Sequence, residues 1–80
     1  MNHADLLDTV RNTISREIGT VADGIGLDTT LDMLNIDSLD VLRIAESFEK
    51  TFEIRISTAE LTQIRTIGDI VAGLQSKLTT

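Results

Sequence analysis

Eighty residues without a cysteine allow one small domain, residues 1–80, held together by packed apolar side chains without disulfides or thiolate metal sites. A formal charge of −6 opposes binding to phosphate backbones, which excludes nucleic acid as a general partner and makes basic protein surfaces the natural counterpart. No apolar run reaches the length of a membrane span, and the start Met-Asn-His-Ala-Asp lacks the basic and apolar segments of a signal peptide, so a soluble cytoplasmic monomer without membrane insertion is expected.

The first predicted helix runs from about Ala4 to Ile18. Leu7, Val10, Ile14 and Ile18 recur there at spacings of three and four, Asn2 or His3 begins it and Gly19 stops it. From Thr20 to Ile36, Gly24, Gly26 and an Asp-Thr-Thr cluster provide turn chemistry. Val21, Ile25, Leu27, Leu31, Met33, Leu34 and Ile36 make the same stretch a long loop pinned to the core. A second helix starts at Asp37 or Ser38 and runs to about Phe52, with Leu39, Leu42, Ala45, Phe48 and Phe52 as its apolar stripe. Ser57 and Glu60 form a capping box for a short third helix reaching about Gln63, and Thr66 and Asp69 repeat a similar spacing. The last helix spans roughly Ile67 to Leu78. Ile67, Ile70, Val71, Leu74 and Leu78 share one face, Lys77 is placed to complement the final carbonyls, and Thr79-Thr80 is expected to fray. Only Phe52 to Ile56 alternates like a strand, so the fold class is all-α, three substantial helices and one short one around an aliphatic core.

Charge is concentrated in the middle of the chain. Between Thr20 and Glu60 nine acids face three bases, which accounts for the whole −6, while Asp5, Asp8, Glu17 and Asp69 are balanced by Arg11, Arg16, Arg65 and Lys77. Such a field steers a basic partner toward the second helix. At the head of that helix Asp37 can accept from backbone N–H groups of the first turn, Asp40 sits where the positive end of the helix dipole favours an acid, and Ser38 is exposed. A phosphodiester on that serine would face unpaired N–H groups, which is a favourable place for a phosphate. Leu39 is expected to anchor the helix start to the core. By itself, Asp37-Ser38 is more often a plain helix cap than a modification site.

The segment Leu31-Asp32-Met33-Leu34-Asn35-Ile36-Asp37-Ser38-Leu39-Asp40 resembles the phosphopantetheine attachment site of acyl carrier proteins. The resemblance extends over nearly the whole chain through length, acidity, the long loop, and the long-short-long helix order after the serine. It implies the acyl-carrier type of four-helix bundle, with three longer helices, a short third helix and a long loop between helices 1 and 2. It further implies that Asp37, Ser38 and Leu39 are the motif, that Ser38 bears 4′-phosphopantetheine placed there by a phosphopantetheinyl transferase, and that acyl groups travel as thioesters on the arm. Loading ligases and condensing enzymes with basic docking patches are the other partners so implied. Fatty acid, polyketide and aminoacyl carriers share this scaffold, and Asp-Ser-Leu in place of a Gly-Gly-x-Ser pattern favours acyl cargo over aminoacyl or peptidyl cargo.

Two departures from the family stand out. Asn35 replaces a glycine, and Asn tolerates left-handed backbone better than most residues. The docking face of the second helix, uniformly acidic in the fatty-acid carriers, is mixed here: Asp40, Glu46, Glu49 and Glu53 are interrupted by Arg43 and Lys50. Intrahelical pairing of Asp40 with Arg43 and Glu46 with Lys50 explains this simply. Selection of a dedicated partner through Arg43 explains it functionally. A role as an enzyme is not expected, because the single histidine, His3, lies at the end of the chain and no cysteine is present. The acids between Asp23 and Asp40 do not fall into calcium-loop register, so no metal site is expected. The competing reading is an acidic helical adaptor that docks on a basic protein and carries no cofactor.

Overall fold

The computed structural model describes residues 3–78, and its helices are α1 (His3–Ile18), α2 (Ser38–Phe52), α3 (Thr58–Leu61) and α4 (Ile67–Leu78). The expectations for Asn2, for the His3 side chain and for Thr79-Thr80 fall outside the described residues. No strand forms among the described residues. Phe52 to Ile56 instead turns the chain at Glu53, whose φ of 54° caps α2, and lays Ile54 and Ile56 against the core.

α1 packs against both α2 and α4. Its fully buried residues are Leu6, Val10 and Ile14, with Leu7 and Ile18 half-buried at the margin, so the buried stripe begins at Leu6 and not at Leu7. Gly19 ends α1 at φ +73°, a left-handed conformation that favours glycine, and its N–H bonds the Ser15 carbonyl at 2.9 Å.

The stretch between α1 and α2 contains two 3₁₀ turns, Ala22–Gly24 and Asp32–Leu34. Ile25 and Ile36 are buried, Leu31 and Leu34 pack on the core, and Val21, Leu27 and Met33 point outward, so the loop is pinned by four of its seven apolar residues. Backbone bonds fasten it to the start of α4: Leu31 N–H to Arg65 O (3.0 Å), Ile67 N–H to Thr29 O (2.9 Å) and Gly68 N–H to Leu27 O (2.9 Å). Gly68 suits this close approach, since a β-carbon would sit 3.1 Å from the Leu27 carbonyl oxygen and press on it. These ties hold the segment leading into α2 and thus locate the head of that helix.

α2 corrects the expected stripe. Its buried residues are Ile44, Ala45 and Phe48, with Val41 and Phe52 alongside, whereas Leu39 is 69% and Leu42 48% exposed. Leu39, Leu42 and Ala45 are spaced by three, and each such step drifts by about 60° around a helix of 3.6 residues per turn. A line drawn through them therefore leaves the core face. Ile67, Ile70, Val71 and Leu74 bury the predicted face of α4, and Leu78 lies at its exposed edge. Among the described residues no helix is long and apolar enough to cross a membrane.

Candidate functional site

Asp37 stands in extended conformation just before α2, where its backbone is outside the helix and its side chain can turn back over the first turn. Its Oδ1 accepts from Asp40 N–H at 2.9 Å, and Asp40 Oδ2 accepts from Asp37 N–H at 3.4 Å, a reciprocal box. Asp40 Oδ1 in turn accepts from the Arg43 guanidinium at 2.8 Å. That guanidinium, then the backbone N–H of Asp37, hold the Asp40 carboxyl below the usual carboxylate range, and Asp40 raises Arg43 in return. The chain Arg43–Asp40–Asp37 braces the helix start from its own side chains.

Ser38 is the first residue of α2 and is exposed. Among the described residues its hydroxyl makes no hydrogen bond, and neither do the N–H groups of Ser38 and Leu39, which point out of the positive end of the helix. The approach is shaped by Asn35, at φ 55° and ψ 37°, the left-handed conformation that glycine or asparagine adopts most readily; its N–H bonds Asp32 O at 3.1 Å. Ile36, buried two residues before Ser38, bonds Leu31 O at 3.1 Å and fixes the chain before it turns into the helix. The segment is thus anchored through Ile36. Leu39 does not anchor it, contrary to expectation, because it faces solvent beside Ser38.

The outward face of α2 carries Leu39, Leu42, Arg43, Glu46 and Lys50, all exposed. Arg43 pairs with Asp40 as expected, but no Glu46–Lys50 ion pair forms among the described residues. Glu49 is half-buried and its Oε2 accepts from Ile56 N–H at 2.9 Å, which steadies the turn after α2. Lys77 sits in the last turn of α4, as expected, and its ammonium also meets Glu60 Oε1 at 2.7 Å on another helix. The exposure of Leu39 and Leu42 was missed by sequence reasoning. The signal available was the alternative arc Val41, Ile44, Ala45, Phe48, which is equally apolar and more compact around the helix.

Between α2, α3 and α4 lies a cavity of about 300 Å³. Its lining is mostly aliphatic and includes Ile36 and Val41, which flank Ser38 in sequence, together with Ile44, Phe48, Leu61 and Ile70. Among the described residues no group of His, Asp and Glu side chains is arranged to hold a metal ion.

A four-helix chain with a bare hydroxyl at a helix start and an apolar cavity beside that helix has the build of a carrier domain. Residues 8–74 match the family described as "Phosphopantetheine attachment site". The acyl carrier protein of Streptococcus pyogenes serotype M3 is 36% identical over 72 residues, covering 90% of this chain and 95% of that one. The acyl carrier protein of Thermotoga maritima is 32% identical over 75 residues, covering 92% and 93%. A crystal structure of an acyl carrier protein from Thermotoga maritima superposes with a TM-score of 0.88 at 26% identity, covering 99% of this chain and 93% of that one. The chain belongs to the acyl carrier protein family, whose cofactor is 4′-phosphopantetheine. The residues at the head of α2 fit such a group. An unbonded hydroxyl is open to esterification, and two unpartnered N–H groups at the helix's positive end could donate to a phosphodiester.

Proposed function

We propose that the chain is a carrier and not an enzyme, and that Ser38 is the residue to which 4′-phosphopantetheine is joined. The observation that carries this reading is the exposed Ser38 hydroxyl, without an internal partner, at the first position of α2. When bound, the group supplies a thiol on a long arm, on which acyl cargo is held as a thioester. Asp37 and Asp40 keep the first turn of α2 wound so that the hydroxyl stays presented, and Leu39 contributes apolar contact to whatever enzyme approaches it. The cavity between α2, α3 and α4 offers an apolar shelter for the cargo.

The partners on this reading are a phosphopantetheinyl transferase, an acyl- or aminoacyl-loading ligase and condensing or transferring enzymes with basic docking patches. Asp40, Arg43, Glu46 and Lys50 form the charged part of the docking face, and Glu49 adds its charge from a half-buried position. The pathway is fatty acid, polyketide or a related specialised synthesis. Arg43 and Lys50 on the outward face favour the specialised case, because a partner must then match alternating charge and not a uniformly acidic strip. Reversal of Arg43 to Glu is expected to raise acceptance by a generic fatty-acid enzyme, and unchanged partner preference would remove this refinement.

Incubating the purified chain with coenzyme A and a promiscuous phosphopantetheinyl transferase tests the attachment. A mass gain that is lost in Ser38→Ala is expected. No gain on a folded protein would instead support an unmodified acidic adaptor.

A further inference from the structure

Glu60 makes two bonds at once. Its Oε2 accepts from Ser57 N–H at 2.7 Å, closing the capping box that opens α3, while its Oε1 meets Lys77 Nζ at 2.7 Å near the end of α4. The ion pairs Arg11–Asp8 and Arg43–Asp40 each stay within one helix, whereas Glu60–Lys77 ties α3 to α4. α3 needs such a tie. It has four residues and none is buried, and one turn of helix does not hold itself in water. The main helix packing, α1 on α2 and α1 on α4, does not include it. Yet Glu60, Leu61 and Lys77 all line the cavity, so a one-turn helix with no buried residue of its own is also one of the cavity's walls.

We propose that Lys77 is a positioning residue which, through Glu60, latches α3 as the movable wall of the cavity and so sets how readily an apolar chain enters and leaves. The identity of the guest rests on the carrier reading; the latch itself rests on the cavity and the ion pair. The two side chains are 28% and 46% exposed, so solvent ions reach the pair and salt loosens the latch. α4 supplies a firm post for it, because Ile67, Ile70, Val71 and Leu74 are buried.

The test compares the unmodified chain with Lys77→Met, Lys77→Arg, Glu60→Gln and the Lys77→Met/Glu60→Gln double variant. Met keeps the apolar stem of Lys77, and Gln keeps an oxygen for the Ser57 cap. Amide hydrogen exchange reports the opening of α3, and the exchange rate of added octanol, seen at the methyl groups of Ile44, Ile64 and Ile70, reports access to the cavity. Both rates are expected to rise about two- to fivefold in the Met and Gln variants, as for loss of a part-exposed ion pair. The double variant should rise no further than either single one, Arg should restore the original rates, and high salt should bring the original chain up to the Met variant. Equal rates in all variants, singles whose effects simply add, an octanol rate that ignores Lys77→Met, or no octanol shifts at all would each overturn the latch. Mass gain at Ser38 is read separately. Its absence alongside faster octanol exchange in Lys77→Met removes the carrier reading and leaves the latch in place.

Discussion

Replacing Asp37 by Ala removes the acceptor that Asp40 N–H reaches at 2.9 Å, so that three consecutive N–H groups at the head of α2, those of Ser38, Leu39 and Asp40, lack protein partners. Loss of such a cap costs about 1 kcal/mol, within a range of about 0.5–2. For a domain of this size each kcal/mol lowers Tm by roughly 4–8 °C, so Asp37→Ala should melt roughly 4–8 °C below the original chain. Asp37→Asn keeps a capping oxygen and loses only the interaction of the charge with the helix dipole, a few tenths of a kcal/mol, or about 1–3 °C. Urea unfolding followed by far-UV circular dichroism should show lower midpoints with unchanged slopes, and amide exchange at Asp40 should accelerate in the Ala variant far more than in the Asn variant. Loading of Ser38 by a transferase should slow in the same order, because the presented hydroxyl rides on that first turn. If Asn and Ala were equally destabilising, the hydrogen bond would not be what braces the site. If Ala cost nothing, the bracing itself would be absent.

Phe48 is 2% exposed, touches the Phe52 ring at a centroid distance of 6.2 Å and lines the cavity. Phe48→Ala should therefore cost about 3–5 kcal/mol against a total stability of about 4–12 for a domain of this length, which a urea titration would register as loss of a large part of the folding free energy. Three carboxylates are held below their ordinary range: Glu60 by Lys77 and the Ser57 N–H, Asp40 by Arg43 and the Asp37 N–H, and Asp69 by the N–H groups of Arg65 and Thr66. Because their folded values are depressed, the stability they contribute is complete above the unfolded-chain values of about 3.9 for Asp and 4.3 for Glu, and drains away as pH falls through the lower folded values. Acid unfolding followed by circular dichroism should start below about pH 4, and Glu60→Gln should lessen its steepness. Asn35→Val should lose about 1–2 kcal/mol from forcing a β-branched residue into left-handed backbone, whereas Asn35→Gly should fold normally, as thermal melts of the two would show.

Much of the fold was legible because local rules and tertiary packing agree in it. Ser57 with Glu60 and Thr66 with Asp69 read as helix starts in the sequence and make the reciprocal bonds that those spacings allow. Asn35 read as a tolerant substitute for glycine, and it occupies the left-handed region. The α2 stripe was less legible. Seven of its fifteen residues are apolar and suggest more than one line along the helix, and periodicity alone does not say which line meets α1. The Glu46–Lys50 spacing permits a pair that does not form, since exposed charges at that distance gain little by giving up their freedom.

What the order of residues determined by itself was the number and order of helices, their caps, the concentration of acid in the middle half of the chain, and the serine at the head of the second helix. These are encoded within a few residues of one another, where capping geometry and helical spacing act directly. Tertiary structure alone decided that Leu39 and Leu42 face outward, that Glu49 turns to the Ile56 N–H, that Lys77 reaches Glu60 and that a cavity opens between α2, α3 and α4. Each depends on how helices distant in sequence rotate against one another, and that rotation is set by the fit of their buried side chains, a property of the assembled bundle that no single helix carries.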